Sequence, residues 1–389
     1  MPAAAPFQIA VPEEVLSDLR GRLQRTRWAE DFANDDWRYG VNGAYMREVV
    51  EYWIMKYDWR AQERAANAFA QYKVMIEGAP IHFVHERGRG PNPIPIILTH
   101  GWPETFWEYK DLIGPLTDPA RYGGDERDAF DLVLPDLPGY GFSSPLRVPG
   151  ISPQKTADMW DTLMRDVLGY ERYGLGGGDW GAIVSSMQAH KYGDHLIGLH
   201  LTMPGLPGTP LNLLTPADYG PGEEDWHARM TTRMIPAASH VTVNRLDPQT
   251  LAYAWNDSPV GLAAWLIERR RSFGDTNGDV ESRFSKDFML TTIMMFWVTS
   301  SFGTASRYYW EHAHDPWRPV HNRKPTIDVP TGFAIFPKEL LFIPRALAAR
   351  ETNLVHWSLM AEGGHYGPSE APDALVEDLR TFFRPFRKG

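Results

Sequence analysis

Asp179 lies at the centre of the stretch Gly-Leu-Gly-Gly-Gly-Asp-Trp-Gly, residues 174–181. A Gly-x-Asp-x-Gly turn between a short strand and a helix is strained, and Gly177 and Gly181 avoid the clashes that larger residues would create there. Such a turn exposes the carboxylate as a nucleophile, and the backbone N–H of the next residue, Trp180, can point at an oxyanion. The alternative interpretation is a glycine-rich turn with an incidental acid.

Further side chains could complete a catalytic set with Asp179. His365 follows two glycines in a loop after the last predicted strand, and Glu339 follows the penultimate strand. The order nucleophile, acid, histidine is typical of α/β-hydrolases, whose nucleophile lies on an elbow of this kind. We therefore expect His365 to be the general base. Glu339 and Asp136, which lies on an earlier loop, are the candidates for its acid partner.

The composition limits the classes of function. The chain has 389 residues, 43% hydrophobic and 23% charged, with 39 basic and 49 acidic residues and a net charge of −10. These values are typical of a soluble globular protein of two or three packed units and argue against a nucleic-acid partner. The one basic cluster, 269–271, is expected to be a solvated helix end. The absence of cysteine excludes disulfides, thiolate catalysis and cysteine-ligated metals.

Targeting signals are also missing from the sequence. No apolar run approaches the ~18–20 residues of a membrane helix, and the N-terminus lacks the features of a signal peptide. We therefore expect a cytoplasmic protein without a membrane anchor.

The remaining sequence predicts the elements that position these residues. In chain order we expect helices at 11–28, 43–56 and 59–69, a hairpin of 73–76 and 81–85 over the turn 77–80, strands at 94–99 and 130–136 around a helix near 108–116, helices at 151–168 and 182–192 on either side of the elbow, strands at 331–336 and 354–358, and a final helix at about 371–383. Strand–helix alternation of this kind implies a mainly parallel sheet covered on both faces.

The stretch from Leu206 to about residue 320 has Pro/Gly loops and helical patterns but no β-rich run, which predicts a helical cap inserted into the sheet domain. The expected fold is thus an α/β-hydrolase fold with a helical cap and an N-terminal helical meander. The parts are the N-terminal meander at 1–85, the first part of the core at 86–205, the cap at 206–320 and the second part of the core at 321–389.

Several separated motifs, in one order, give the chain a more specific resemblance. They lie at 18–20, 26–28, 57–60, 100–103 (His-Gly-Trp-Pro), 177–181, 256–264 (Asn-Asp-Ser-Pro-Val-Gly-Leu-Ala-Ala), 329–333, 336–340 and 363–365. With these motifs the chain resembles, over its whole length, the epoxide hydrolases related to the microsomal enzyme, including their N-terminal domain. Because the N-terminal hydrophobic anchor of the membrane-bound relatives is missing, the chain is similar to the soluble microbial members.

The resemblance implies a two-step reaction that opens an apolar, aromatic or bulky epoxide to a vicinal diol. Asp179 would form an ester with one ring carbon, and His365, oriented by Glu339, would activate the water that hydrolyses it. The backbone N–H groups of Trp102 and Trp180 would hold the oxyanion. The sequence also suggests a cis peptide bond at the proline after Trp102.

The oxygen-side acids of this family are normally two tyrosines of the cap. Tyr309 matches the second, and the adjacent Tyr308 is an alternative that is expected to pack. The position of the first falls on His240 in one alignment and on Ala238 in another, and neither is tyrosine. His240 could donate a proton if it were charged, or could simply pack. A single phenol would polarise the epoxide oxygen less strongly.

The resemblance implies no cofactor and no metal, with a small-molecule epoxide and water as partners; it leaves a homodimer open. The sequence His312-Ala313-His314-Asp315 invites a metal interpretation, but without companion ligands a solvated helix end is favoured. A haloalkane dehalogenase is the rival enzyme, in which Trp102 would bind halide. A ligand-binding relative with reduced or lost turnover is the rival from another class.

Overall fold

The computed structural model describes residues 3–209 and 213–387. Nine strands within these ranges form one mixed sheet. They are β1 (Ala5–Phe7), β2 (Gln71–Ile76), β3 (Ala79–Glu86), β4 (Ile94–Thr99), β5 (Phe130–Pro135), β6 (Tyr173–Gly177), β7 (Leu196–Leu201), β8 (Ile327–Ile335) and β9 (Thr352–Leu359). The order across the sheet is β1-β2-β3-β5-β4-β6-β7-β8-β9. Pairing is antiparallel from β1 through β3 to β5 and parallel from β5 onwards.

The helices of the described ranges surround this sheet or form the cap. They are α1 (Glu13–Gln24), α2 (Gly43–Met55), α3 (Trp59–Ala66), α4 (Lys110–Thr117), α5 (Pro153–Thr162), α6 (Asp179–Lys191), α7 (Trp226–Ala237), α8 (Ser239–Leu246), α9 (Pro248–Asp257), α10 (Pro259–Phe273), α11 (Lys286–Thr299), α12 (Phe302–His314), α13 (Arg345–Glu351), α14 (Gly367–Glu370) and α15 (Pro372–Phe383). A π-helical turn, Leu163–Val167, extends α5, so the predicted helix over 151–168 has a change of pitch near its end.

The parallel strands bring the candidate residues together. β4, β6, β8 and β9 run in the same direction, so their carboxyl ends lie at one edge of the sheet. Trp102, Asp179, Glu339 and His365 each lie in the segment that follows one of these strands. β5 is buried along its whole length, as expected for a strand with helices on both faces of the sheet.

The predicted hairpin has a tighter turn than expected. Ile76 pairs directly with Ala79, so the turn consists of Glu77 and Gly78 alone, and Pro80 belongs to β3. Both turn residues have positive φ, 50° and 81°, which matches the twist of a two-residue hairpin. The expected four-residue turn over 77–80 is therefore wrong.

The sequence analysis did not predict two of the strands, β1 and β7. β1 is only three residues long and contains a proline, which an edge strand tolerates. β7 follows α6 after a short 3₁₀ turn, Gly193–His195, and the glycine and histidine within the strand weaken its β-strand pattern. Within the segment 1–85, β1, β2 and β3 join the three helices to the edge of the sheet.

The segment between β7 and β8 contains α7 to α12 and, among its described residues, no strand, in keeping with the expected cap at 206–320. Within it the basic cluster is not a solvated helix end. Arg269 and Arg270 are 6% and 3% exposed, and Arg270 forms an ion pair with the core residue Glu108. The expectation was wrong because Arg269 bonds the carbonyl of Ala237 at the end of α7 and Arg270 bonds Glu108 of the core, so these side chains are enclosed.

In the described ranges, no single helix is long and apolar enough to cross a membrane. α11 and α12 meet the length and composition criteria only as a pair, with a bend of 86° between them.

Candidate active site

Asp179 lies at a sharp turn between β6 and α6. Its φ of +47° is a left-handed conformation that non-glycine residues rarely adopt. A Cβ atom on Gly181 would lie 1.8 Å from the carbonyl oxygen of Thr99, and one on Gly177 would lie 2.5 Å from the same atom. The glycines are thus required by the close approach of β4 to the turn, and the turn holds the Asp179 side chain at the end of the sheet.

A chain of polar contacts links the three candidate triad residues. His365 Nε2 lies 3.4 Å from Asp179 Oδ2, and His365 Nδ1 lies 2.8 Å from Glu339 Oε1. The side chains of His365 and Glu339 are 3% and 2% exposed, whereas that of Asp179 is 20% exposed. The carboxylate can therefore be reached from the cavity while its partners are enclosed.

The two ends of this chain have opposite pKa shifts. Burial by itself raises the pKa of Asp179, but the hydrogen bond and charge of His365 and the backbone N–H groups of Trp102 and Trp180 outweigh burial and leave that pKa below its ordinary value. Burial by itself lowers the pKa of His365, yet the charges of Glu339 and Asp179 outweigh it and hold that pKa well above the ordinary value. Both shifts favour the charged form of the group, that is, an aspartate–imidazolium pair.

The His-Gly-Trp-Pro loop follows β4 and covers the other carboxylate oxygen. The backbone N–H of Trp102 donates to Asp179 Oδ1 at 2.7 Å, and that of Trp180 is near enough to help lower the pKa of the carboxyl group. The bond between Trp102 and Pro103 is cis, as the sequence suggested. His100 accepts the backbone N–H of Leu137 at 3.0 Å and so ties this loop to the loop after β5.

Tyr309 of α12 faces Asp179 from the cap. Its ring meets those of Trp180 and Trp102 edge-on, with centroids 4.7 and 5.7 Å apart. Burial and the charge of Asp179 raise the pKa of Tyr309 well above its ordinary value, so the phenol keeps its proton. The hydroxyl of Tyr308 points elsewhere and bonds Thr156 at 2.7 Å.

His240 lies on α8 in the same cavity wall. Its ring is parallel to that of Trp102, with centroids 4.6 Å apart and an interplanar angle of 5°. Burial, followed by the charge of Arg269, lowers the pKa of His240 to about 4, so the imidazole is neutral at neutral pH. The charged state that the proton-donor hypothesis needs is disfavoured here, because the cap encloses a histidine that the sequence left free to be exposed. Ala238, from the other alignment, also borders the cavity.

The cavity in front of Asp179 has a volume of about 530 Å³. Its apolar wall includes Ile183, Met203, Met234, Val241, Phe273 and Leu340. Besides the residues above, the polar groups at its surface include Arg245 and His312. His312 is half-buried and packs on Trp180 at 5.1 Å, so the expected solvated helix end is wrong at this residue. A cavity of this size and lining suits an apolar molecule.

The structure assigns the rival acid Asp136 to another network. Both its oxygens are occupied, by His82 at 2.9 Å and by the backbone N–H groups of Phe106 and Phe142. Glu339, by contrast, bonds His365 directly. The choice between the two candidate acids thus depends on how the loops after β5 and β8 fold.

A buried acidic network beneath the His-Gly-Trp-Pro loop was missed at the sequence level. Glu104 accepts the backbone N–H of Gly101 at 2.8 Å, and burial, followed by the charge of Glu108, raises the pKa of Glu104 to about 8. Arg270 pairs with both oxygens of Glu108 and lies 3.8 Å from the centroid of the Tyr366 ring. The only signal in the sequence was the presence of two acids just after the His-Gly-Trp-Pro motif.

A second missed cluster lies elsewhere in the core. His200, His356 and Asp378 present ligand-type atoms within 4.8 Å of one another. Each imidazole Nε2 bonds one oxygen of Asp378, at 2.7 and 2.9 Å. The cluster joins β7, β9 and α15 through these bonds.

Comparisons with known proteins agree with this architecture. The family model for the epoxide hydrolase N terminus matches residues 4–109, and the model for the α/β hydrolase fold matches residues 94–244. The predicted fold class is thereby confirmed.

Relatives match over nearly the whole chain. A putative epoxide hydrolase of Stigmatella aurantiaca is 38% identical over 98% of this chain and 85% of its own length. Epoxide hydrolase 1 of Oryctolagus cuniculus is 32% identical over 97% of this chain and 88% of its own length. The structure of an epoxide hydrolase from Aspergillus niger superposes with a TM-score of 0.86 at 28% identity, covering 99% of this chain and 97% of the other.

Proposed function

The chain belongs to the epoxide hydrolase family, and we propose that it opens an apolar or aromatic epoxide to a vicinal diol through a covalent ester of Asp179. The observation that carries this proposal is the placement of the Asp179 carboxylate. One oxygen is held by a backbone N–H, the other faces His365, and both lie at the end of an apolar cavity with Tyr309 in its wall.

The first step would break the epoxide ring. Asp179 Oδ2 attacks one ring carbon, the bond between that carbon and the epoxide oxygen breaks, and Tyr309 gives its proton to the resulting alkoxide. The products are a hydroxyalkyl ester and a tyrosinate. An aspartate is suited to this step because its ester has a carbonyl that water can attack, whereas a serine would form an inert ether.

The second step would release the diol. His365 removes a proton from a water molecule, whose oxygen adds to Cγ of Asp179, and the oxyanion forms on Oδ1, where Trp102 and Trp180 donate their N–H groups. Collapse of this intermediate expels the diol oxygen and restores the carboxylate. The hydroxyl proton of the intermediate passes to the leaving oxygen, and His365 keeps the proton that it took from water, so the aspartate–imidazolium pair is restored.

The charges of the site support the order of these steps. In the resting pair Asp179 is ionised and therefore nucleophilic, and its charge helps to keep His365 protonated. Ester formation removes that charge, so the pKa of His365 falls and the imidazolium can pass its proton to the tyrosinate of Tyr309, after which the neutral imidazole can act as a base. Formation of the Asp179 ester thus makes His365 able to act as the base in the hydrolysis of that ester.

The test is to trap the ester. Incubating His365→Gln with styrene oxide, quenching with acid and digesting should give a peptide containing Asp179 with the added mass of one styrene oxide. Asp179→Asn is the matched control and should gain no mass. With wild-type enzyme in excess, a single turnover in ¹⁸O-water should place the label in Asp179 and not in the diol.

The outcomes separate the alternatives. Label in the diol would show direct attack of water and overturn the ester mechanism. Halide release from a haloalkane without diol formation from any epoxide would favour a dehalogenase. A ligand-binding relative would give neither adduct nor product.

A further inference from the structure

The His240 side chain is held in one orientation on the cavity wall. Its ring is stacked on Trp102, and it meets Tyr309 edge-on with centroids 5.5 Å apart and an angle of 88°. Phe273 contacts the imidazole from a third direction at 5.3 Å. With 7% of the residue exposed, the ring has little freedom to turn.

A single hydrogen bond determines which ring nitrogen carries the proton. His240 Nδ1 lies 3.1 Å from the carbonyl oxygen of Ala237. A carbonyl can only accept, so Nδ1 must be the N–H of the neutral ring, and Nε2 must carry the lone pair. The low pKa of His240, which burial and the charge of Arg269 produce, agrees with this neutral tautomer.

The other ring nitrogen is left for a ligand. No residue of 3–209 or 213–387 makes a hydrogen bond to His240 Nε2, although the imidazole borders the cavity. The atom is not among the fully buried polar atoms that lack a partner, so it is accessible, and a ligand in the cavity that supplies a donor can bond it. The wall beside Tyr309 therefore offers an acceptor where a second phenol would have offered a donor.

We propose that His240 Nε2 accepts a hydrogen bond from a hydroxyl group of the substrate, so that the preferred substrates are epoxides with a hydroxyl on the carbon next to the ring. This inference rests on the proposed epoxide-opening function. Asp179 attacks the ring and Tyr309 protonates its oxygen, so a neighbouring hydroxyl is the group left to meet His240. The apolar remainder of the molecule would occupy the rest of the cavity.

The test compares three substrates: 3-phenylglycidol, its methyl ether and styrene oxide. The ether lacks the donor and adds one methyl group, and wild-type kcat/KM should favour the alcohol by about tenfold or more. In His240→Phe, which keeps an aromatic ring against Trp102 but has no acceptor, this ratio should fall to about one. In His240→Gln, which restores an acceptor oxygen, the preference should partly return. Val243→Ala, an apolar change on the same helix at a residue that does not line the cavity, should leave the ratio unchanged.

The results distinguish this inference from the function on which it rests. Equal wild-type efficiency for the alcohol and its ether would overturn the inference while diol formation upheld the function. An unchanged ratio in His240→Phe would also overturn it. Absence of diol from all three substrates would overturn both. The wild-type comparison of the alcohol with its ether can overturn the inference even if a His240 variant fails to fold.

Discussion

Replacing Arg270 by methionine tests the buried ion pair that joins the cap to the core. Its guanidinium bonds Glu108 at 2.9 and 2.5 Å, and the two side chains are 3% and 1% exposed. Removing one partner of such a pair leaves an uncompensated buried charge, which typically costs about 3–5 kcal/mol. The additional contact of Arg270 with the Tyr366 ring, 3.8 Å from its centroid, places the expected loss in the upper half of that range.

Urea unfolding followed by circular dichroism measures this loss. The single change Glu108→Met should cost a similar amount, whereas the double variant should recover much of it because neither charge is then left unpaired. Arg271→Met is the matched control: Arg271 is only half-buried and bonds a backbone carbonyl, so we expect a loss below about 1 kcal/mol.

The same variant should change the pH dependence of the site. Arg270 counteracts the upward shift in the pKa of Glu104, so its removal should push that pKa above about 8. A loss below about 1 kcal/mol in Arg270→Met, or strictly additive losses in the double variant, would refute the reasoning. Either result would mean that water reaches the pair and that the cap is held by other contacts.

Three further predictions concern single residues. Glu339→Gln should lower the pKa of His365 in the folded state. The raised pKa stabilises the fold fully below the unfolded value of about 6.5, and this stabilisation is lost as pH rises through the folded-state pKa. The variant should therefore lose more unfolding free energy at pH 6 than at alkaline pH. Gly181→Ala places Cβ 1.8 Å from a carbonyl oxygen of β4 and should cost several kcal/mol or prevent folding, whereas Gly220→Ala, whose Cβ would meet nothing closer than 3.8 Å, should not. Glu104→Gln removes a carboxyl whose pKa is raised from 4.5 to about 8, so wild-type stability should fall relative to the variant between about pH 4.5 and 8; parallel pH–stability curves would contradict this.

Local patterns in the sequence determined much of the site. The sequence predicted the elbow around Asp179, because only glycine tolerates the close approach of β4 and the glycines recur at the spacing that this turn requires. The order of nucleophile, acid and histidine predicted that the three side chains meet, because the parallel strands that precede them end at one edge of the sheet. These features depend on neighbours along the chain or on strand order, which the sequence displays.

Other features depend on contacts between distant segments. β1 pairs with β2, which lies far along the chain, and Arg270 and His312 of the cap are enclosed by contacts with Glu108 and Trp180 of the core. Composition made Arg270 and its neighbours resemble a solvated helix end, and nothing nearby in sequence indicated that Glu108 would pair with it.

His240 shows the difference most clearly. Its sequence position showed that an expected phenol was replaced, but its role stayed open between proton donor and packing. Only the tertiary structure placed its Nδ1 on the carbonyl of Ala237 and its ring on Trp102, and so decided that it is neutral. The physical reason is that protonation depends on burial and on the partners that surround a side chain, which are assembled only when the cap closes over the sheet.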